Sequence, residues 1–172
     1  MDFPLLLRPR PPCLHVLVAS EPDACALLTA LPDTAAERPV SRLLRGHKAR
    51  TRAALFDEFA AALQFPCYFG DNWDAFDECL TDLAWLPGNA YVFLIVRSIQ
   101  LLDQEPADQL QLFLKTVQNA AEEWSKPAPH APRPARAFHV LFQCVSEHEA
   151  VLSARLSAAA VAFDVLRPVD LA

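Results

Sequence analysis

Short apolar runs alternate along the chain with segments in which apolar residues recur at helical intervals. Ala90 to Val96 (AYVFLIV) is apolar throughout and follows Pro87-Gly88-Asn89, a typical break, so it predicts a central, buried strand. Ala107 to Trp124 repeats apolar side chains every three or four positions, which predicts the longest helix. The other predicted strands are Leu14 to Ala19, Val40 to Arg45, Phe138 to Val145 and a last edge strand, Val161 to Leu166. The other predicted helices are Glu21 to Leu31, Ala53 to Leu63, Asp71 to Leu83 and Glu147 to Ala160.

Strands that alternate with helices predict an α/β fold with a mostly parallel sheet. The 172 residues, of which 53% are hydrophobic, suit one domain spanning residues 1–172. No uncharged apolar stretch approaches the roughly 18 residues that a membrane helix needs, and the first ten residues lack the apolar core of a signal peptide. The five cysteines are odd in number and widely spaced, which disfavours a disulfide framework. These features predict a cytoplasmic protein that does not engage a membrane.

One segment departs from the alternation of strands and helices. Residues 126–136 (KPAPHAPRPAR) contain four prolines in eleven positions. Proline-rich chains are stiff and do not continue helices, so this segment predicts an exposed connector between the longest helix and the strand that follows it.

Charge is distributed unevenly, and this matters more than the net charge of −6. Residues 1–52 contain 8 Lys/Arg and 5 Asp/Glu, residues 53–110 contain 1 and 10, and residues 111–172 contain 6 and 6. The middle third is therefore strongly acidic. Such a surface repels phosphates and attracts a basic protein, so we expect no nucleic-acid partner there.

The acidic residues concentrate in one predicted helix, where five of the twelve residues 71–82 are Asp or Glu. At about 100° per residue, the polar residues of this helix share an arc of roughly 140°. They are Asp74, Asp77, Glu78, Thr81 and Asp82. The opposite arc is mostly apolar and consists of Ala75, Phe76, Cys79, Leu80 and Leu83. Trp73 lies at the boundary, where an aromatic ring is a candidate anchor for a partner.

Part of this acidity has a structural explanation. Asp71 or Asn72 can cap the helix, and acids in its first turn interact favourably with the helix dipole. Glu78 and Asp82 lie beyond the first turn, and like charges at i,i+4 weaken an isolated helix. They therefore indicate an external source of cations, although the pattern alone is also typical of a merely solvated acidic helix.

Residues 65–81 (FPCYFGDNWDAFDECLT) resemble the signature of the barstar family, intracellular inhibitors of secreted ribonucleases. The Pro, Tyr, Gly, Asn, Asp-Ala and Cys-Leu-Thr elements recur at the family's spacing. The order of elements from about residue 40 to residue 145 is also similar to the family's small parallel-sheet domain. The resemblance therefore implies a family core at about 40–145, with residues 1–39 and 146–172 as additional elements.

The resemblance also implies which residues face a toxin. They are Tyr68, Gly70, Asn72, Trp73, Asp74, Asp77, Glu78 and Thr81, and the helical wheel adds Asp82. In the family such carboxylates take the place of substrate phosphate in the active site of a nuclease. The implied protein is an immunity protein or antitoxin, monomeric when free, that occludes a basic ribonuclease-type toxin and needs no cofactor or metal.

Three positions depart from the family pattern. Glu78 is longer than the usual aspartate, Asp77 replaces a common tryptophan, and Lys115 stands where a further acid is often found. An ion pair across an interface depends on close geometry, so these departures point to a differently shaped partner. A barstar-like inhibitor of a non-nuclease toxin, or a regulatory protein-binding module, is thus the main alternative.

Two other interpretations follow from the residues themselves. Asp74 and Glu78 at i,i+4 are typical of an enzyme that binds a metal or uses paired carboxylates, but the three glycines form no phosphate-binding pattern and no nucleophile motif is present. We therefore expect no enzymatic activity. The basic residues within 42–52 are typical of an RNA-binding segment, of a solvated face or of an intramolecular complement to the acidic helix.

Overall fold

The computed structural model describes residues 5–32, 38–127 and 133–171. Within these ranges the chain forms five β-strands and five α-helices. The strands are β1 (Leu14–Val18), β2 (Pro39–Arg45), β3 (Ala90–Val96), β4 (Ala137–Cys144) and β5 (Phe163–Leu166). The helices are α1 (Glu21–Thr29), α2 (Arg52–Leu63), α3 (Trp73–Asp82), α4 (Ala107–Trp124) and α5 (Glu149–Ala158). Short 3-10 turns follow β3, β4 and β5.

The five strands form one sheet in the order β2-β3-β4-β1-β5, and every neighbouring pair is parallel. This confirms the predicted α/β fold. All seven residues of β3 are buried, as the uninterrupted apolar run predicts for a strand covered on both faces. The middle position belongs to β4, however, and β5 is an edge strand as predicted.

Two hydrophobic clusters cover the two faces of the sheet. Alternate residues of β3 belong to different clusters, with Phe93 in one and Leu94 in the other. The larger cluster contains the buried faces of α2, α3, α4 and α5. The smaller cluster contains α1 and the buried Leu6 of the N-terminal segment. The acidic helix therefore rests on the larger core.

The segments on either side of the family-like core extend its sheet. β1, from the N-terminal addition, pairs with β4 on one side and with β5, from the C-terminal addition, on the other. The register joins His15 to Leu141 of β4 and to Asp164 of β5. The additions thus lengthen a three-stranded arrangement into five strands, and they do so on the side of β4 away from β2.

Most predicted boundaries hold to within two residues, and β3 and α4 match at both ends. The largest differences, of two residues, lie at ends of α1, α3 and α5 and at the start of β5. α1 stops at Thr29, and a 3-10 turn takes the place of the predicted first turn of α5. α3 begins at Trp73 because the backbone at Asp71 has a positive φ of 49° and Asn72 is extended.

The proline-rich segment predicted as an exposed connector lies partly outside the described residues, which resume at Arg133. From there the backbone returns to the end of α4, since the N–H of Arg136 donates to the carbonyl of Trp124 at 2.8 Å. Among the helices that the structure describes, none is both long and apolar enough to cross a membrane.

Candidate functional site

α3 is an amphipathic helix with one fully buried stripe. Phe76, Cys79 and Leu80 are buried, and the ring of Phe76 contacts aromatic rings of α2 and α4, including Phe59 at 5.1 Å between centroids. Burial of a large aromatic side chain is worth about 1.5–3 kcal/mol, which outweighs the like-charge repulsion along the exposed face. The core therefore holds the acidic helix in place.

The N-terminus of α3 is capped by Asn72. Its side-chain oxygen accepts from the N–H of Ala75 at 2.9 Å, and its Nδ2 donates to the carbonyl of Gly70 at 3.0 Å. Of the two residues that the sequence allows as a cap, the structure thus selects Asn72, and Asp71 is left exposed. A β-carbon at Gly70 would stand only 3.0 Å from Asn72 Nδ2, so a glycine leaves room for the cap.

One side of the polar arc turns towards α4. The indole Nε1 of Trp73 donates to Gln109 Oε1 at 3.2 Å, and Asn119 Nδ2 donates to Asp77 Oδ1 at 2.9 Å. The hydroxyl of Thr81 donates to carbonyls within its own helix, the nearer being that of Asp77 at 2.9 Å. These three residues are only partly exposed. Their polar groups already form hydrogen bonds in the free protein.

The other polar residues of α3 face solvent. Asp74, Glu78 and Asp82 are exposed, and no Lys, Arg or His in the described part of the chain lies within 4.0 Å of their carboxylates. Three negative charges spaced by one helical turn therefore stand along one line without counter-charges. Such a line attracts cations strongly when a partner excludes water from it.

A small cavity of about 130 Å³ lies beside this line. Glu78 and Asp82 form one wall, and Tyr68 and Trp85 contribute aromatic surface. Tyr68 is 73% exposed, which is unusual for a large aromatic side chain and leaves its ring available for contact. The cavity combines carboxylates with ring faces, and both groups attract guanidinium and ammonium ions.

The predicted site residues thus fall into three groups. Tyr68, Asp74, Glu78 and Asp82 are exposed on one surface, Trp73, Asp77 and Thr81 lie at its border with α4, and Gly70 and Asn72 shape the start of the helix. The helical wheel did not find Trp85, Gln109 or Asn119, because they lie on other elements. Lys115 is exposed on α4.

The basic run before α2 does not complement the acidic helix. Arg45 forms an ion pair with Glu58 at 2.8 Å, and Arg50 forms one with Asp103 at 2.8 Å. The side chain of Arg42 donates to the carbonyls of Ser41 and Ala62. Of the three interpretations of this run, direct pairing with α3 is therefore wrong for these residues, because Arg45 and Arg50 pair with acids of other elements and Arg42 binds backbone carbonyls.

The described residues around α3 show neither an activated thiol nor a metal-binding cluster. Burial, together with the charges of Asp82 and Glu78, raises the pKa of the Cys79 thiol to about 11, so this thiol stays protonated and is a poor nucleophile. In the part of the chain that the structure describes, no group of three or more His, Cys, Asp or Glu side chains is arranged to hold a metal ion.

The described residues thus combine a parallel α/β domain with an acidic helix whose exposed carboxylates lack counter-charges, next to an exposed tyrosine. The family comparison is more specific: the sequence model described as Barstar (barnase inhibitor) matches residues 40–147. This match covers more than half of the chain, and the protein therefore belongs to the barstar family. The family implies a ribonuclease-inhibitor type of fold. A comparison with curated proteins gave no match.

Proposed function

We propose that this protein is an immunity-type inhibitor that binds a basic ribonuclease toxin and covers its active site with α3. The observation that supports this most directly is the line of exposed carboxylates formed by Asp74, Glu78 and Asp82, which lack counter-charges within the described residues. A nuclease active site holds cations for substrate phosphates. Carboxylates at a similar spacing can occupy those positions and exclude RNA.

The charge distribution supports rapid association as well. Ten acids and one basic residue in residues 53–110 create a negative field that steers a basic partner towards this side of the molecule. The same field repels RNA, so the proposal includes no nucleic-acid partner. It also takes the inhibitor to be cytoplasmic, monomeric when free, and without catalytic activity of its own.

The proposed contact surface assigns different roles to its residues. Asp74 and Glu78 supply the principal charges, Tyr68 supplies an aromatic contact, and Asp82 extends the line of charges. Trp73, Asp77 and Thr81 contact the partner at the border with α4, where existing hydrogen bonds hold them in fixed orientations. Fixed orientations reduce the entropy that binding costs. Gly70 and Asn72 contribute backbone and side-chain contacts at the start of the helix.

A double substitution tests this assignment. We expect Asp74→Ala/Glu78→Ala to weaken binding to the toxin by about a hundredfold or more, because each removed carboxylate leaves partner cations unpaired. Two toxins serve as probes: barnase, and the product of the gene that adjoins the gene of the inhibitor. Their affinity is measured by calorimetry. The matched control is Asp57→Ala/Glu147→Ala, which removes two exposed acids outside α3 and should leave affinity nearly unchanged. Undiminished affinity in the α3 variant would show that the surface is wrongly assigned.

A non-nuclease target is the second candidate. The cavity beside Tyr68 is bounded by Glu78, whose side chain is one methylene longer than the family's usual aspartate, and by Trp85 and Asp82. This shape favours a partner with a different arrangement of cations. An RNA-cleavage assay separates the two candidates: the ribonuclease proposal requires that the bound toxin cleaves RNA and that the inhibitor stops this cleavage at stoichiometric concentration.

A further inference from the structure

Two arginines lie next to the C-terminal end of α3, on a face that the proposed contact surface does not include. Arg133 and Arg136 both lie over the indole ring of Trp124, with Cζ at 3.8 Å and 5.9 Å from the ring centroid. Trp124 is a fixed platform, because it is 2% exposed and its Nε1 donates to the carbonyl of Leu80 at 2.8 Å. Stacking on this ring holds two positive charges side by side.

These charges are not neutralised by the fold. Arg45, Arg50, Arg97 and Arg167 form ion pairs with carboxylates, whereas neither Arg133 nor Arg136 has a carboxylate within 4.0 Å among the described residues. Within the described residues, the hydrogen bond that Arg133 donates is long, 3.4 Å to the carbonyl of Glu123. Burial and the adjacent Arg136 charge lower the pKa of Arg133, as expected for two cations held together.

The pair also has unused hydrogen-bond donors. Nη1 of Arg133 and Nε of Arg136 are buried without a hydrogen-bond partner, and only one other described side-chain atom shares this state. An unsatisfied donor on a charged group is unfavourable, so an anion that accepted from these guanidinium groups would be bound tightly. The two guanidinium groups therefore keep donors that no described residue uses.

The position of the pair links it to the acidic helix. Arg133 and Arg136 line a cavity of about 310 Å³ that is also lined by Thr81 and Asp82, two residues of the proposed contact surface. A partner that covers the exposed line of α3 reaches this cavity at the end of the helix. It then meets negative charge along α3 and positive charge immediately beyond it.

We propose that Arg133 and Arg136 receive a carboxylate of the protein partner, so that the partner carries an acidic residue beside its basic active site. This inference rests on the proposed function, because it extends the same contact surface. A planar guanidinium matches a carboxylate in bidentate geometry. A nucleic-acid phosphate has similar chemistry, but the acids of α3 repel a polyanion at this place. Adjacent charges of opposite sign fix the orientation of the partner and exclude uniformly basic proteins.

The first test uses the full-length protein without its partner. N-acetyl-aspartate is titrated into isotope-labelled protein while the Trp124 indole N–H resonance is followed, and inorganic phosphate is titrated in parallel. We expect a saturable shift with the carboxylate that disappears in Arg133→Gln/Arg136→Gln. The matched control, Lys48→Gln/Arg52→Gln, removes two exposed charges that follow β2, at the opposite end of the parallel strands from Arg133 and Arg136, and should keep the shift.

Three results would overturn the inference. They are the absence of a saturable shift in the unchanged protein, an equal shift in the arginine variant, and tighter binding of phosphate than of the carboxylate. The absence of a shift and the tighter binding of phosphate are both measured on the unchanged protein. These two tests therefore remain valid even if the double variant fails to fold.

The second test uses the complex with whichever of the two toxin probes binds the unchanged protein. Arg133→Gln/Arg136→Gln should weaken it at least tenfold, and unchanged affinity would show that the partner does not use the pair. The two proposals fail in different ways: loss of the proposed function appears as unchanged affinity in Asp74→Ala/Glu78→Ala, whereas the carboxylate titration reports on the arginines without any partner.

Discussion

At the scale of single residues, the least expected feature is a polar cluster formed by the buried His15 and His139 and the partly exposed Asp164. His15 Nδ1 contacts the Asp164 carboxylate, His15 Nε2 lies 2.9 Å from His139 Nδ1, and His139 Nε2 lies 3.0 Å from the carbonyl of Arg8. Because a carbonyl only accepts, His139 donates from Nε2, and burial lowers the pKa of His139 to about 4, so the neutral ring accepts at Nδ1 from His15. A neutral His139 is therefore part of this arrangement, which joins both chain additions to β4.

This cluster predicts a loss of stability in mild acid. Burial and then the neighbouring His15 lower the pKa of His139 from 6.5 to about 4. The unfolded chain protonates His139 more readily than the folded protein does. The contribution of neutral His139 to stability is therefore complete above pH 6.5 and is lost as the pH falls towards 4. Lowering the pH from 7.5 to 4.5 should reduce the free energy of unfolding of both proteins. We expect this reduction to be about 2–3 kcal/mol smaller for His139→Gln than for the unchanged protein, measured by urea unfolding.

The control for this prediction is His148→Gln, which replaces an exposed histidine and should behave like the unchanged protein. Equal losses in His139→Gln and in the unchanged protein would show that His139 titrates as it does in the unfolded chain. The sequence places both histidines in predicted strands. It could not pair them, because their contact depends on the order of the strands.

At the scale of the element, α3 depends on one side chain for its start. Asn72 supplies the only side-chain cap of this helix, so we expect Asn72→Ala to lower the free energy of unfolding by about 1 kcal/mol. Asp71→Asn is the control, because the Asp71 side chain makes no capping bond and Asn tolerates the positive φ of this position as Asp does. Denaturant midpoints of the two variants give the comparison, and equal midpoints would refute the capping role.

The sequence predicted the amphipathic character of α3 well, because its period depends only on residue order. Phe76, Cys79 and Leu80 are buried as the helical wheel requires. The helical wheel could not separate the polar residues that contact α4 from those that face solvent, because it contains no information about neighbouring elements. Contacts with α4 engage Trp73 and Asp77, and the turn before the helix brings Tyr68 next to Glu78.

At the scale of the whole molecule, the additions and the family region share one sheet. Leu17 of β1 is fully buried in a cluster that also contains Leu94 and Leu141 of the family region. We therefore infer that residues 1–172 fold as a single unit, as the length of the chain predicts. Burial of this kind couples the stability of β1 to that of β3 and β4.

Substitution in the addition tests this coupling. We expect Leu17→Ala to lower the stability of the whole molecule by about 2–5 kcal/mol, as does loss of a buried leucine elsewhere. The unfolding transition should remain single and should coincide when followed by far-ultraviolet circular dichroism and by tryptophan fluorescence, because the three tryptophans all lie in the family region. Val169→Ala, at a 74% exposed position in the other addition, is the control. A separate early transition in Leu17→Ala would indicate two independent units.

The sequence alone determined the type of each element, the ends of β3 and α4, the parallel α/β class and the acidic helix. These properties are local: they follow from apolar periodicity, from proline and glycine breaks, and from the charge of neighbouring residues. The tertiary structure decided the place of β1 between β4 and β5, the buried histidine pair and the location of two arginines over Trp124. These depend on contacts between residues far apart in the chain, which the sequence pattern does not encode one element at a time.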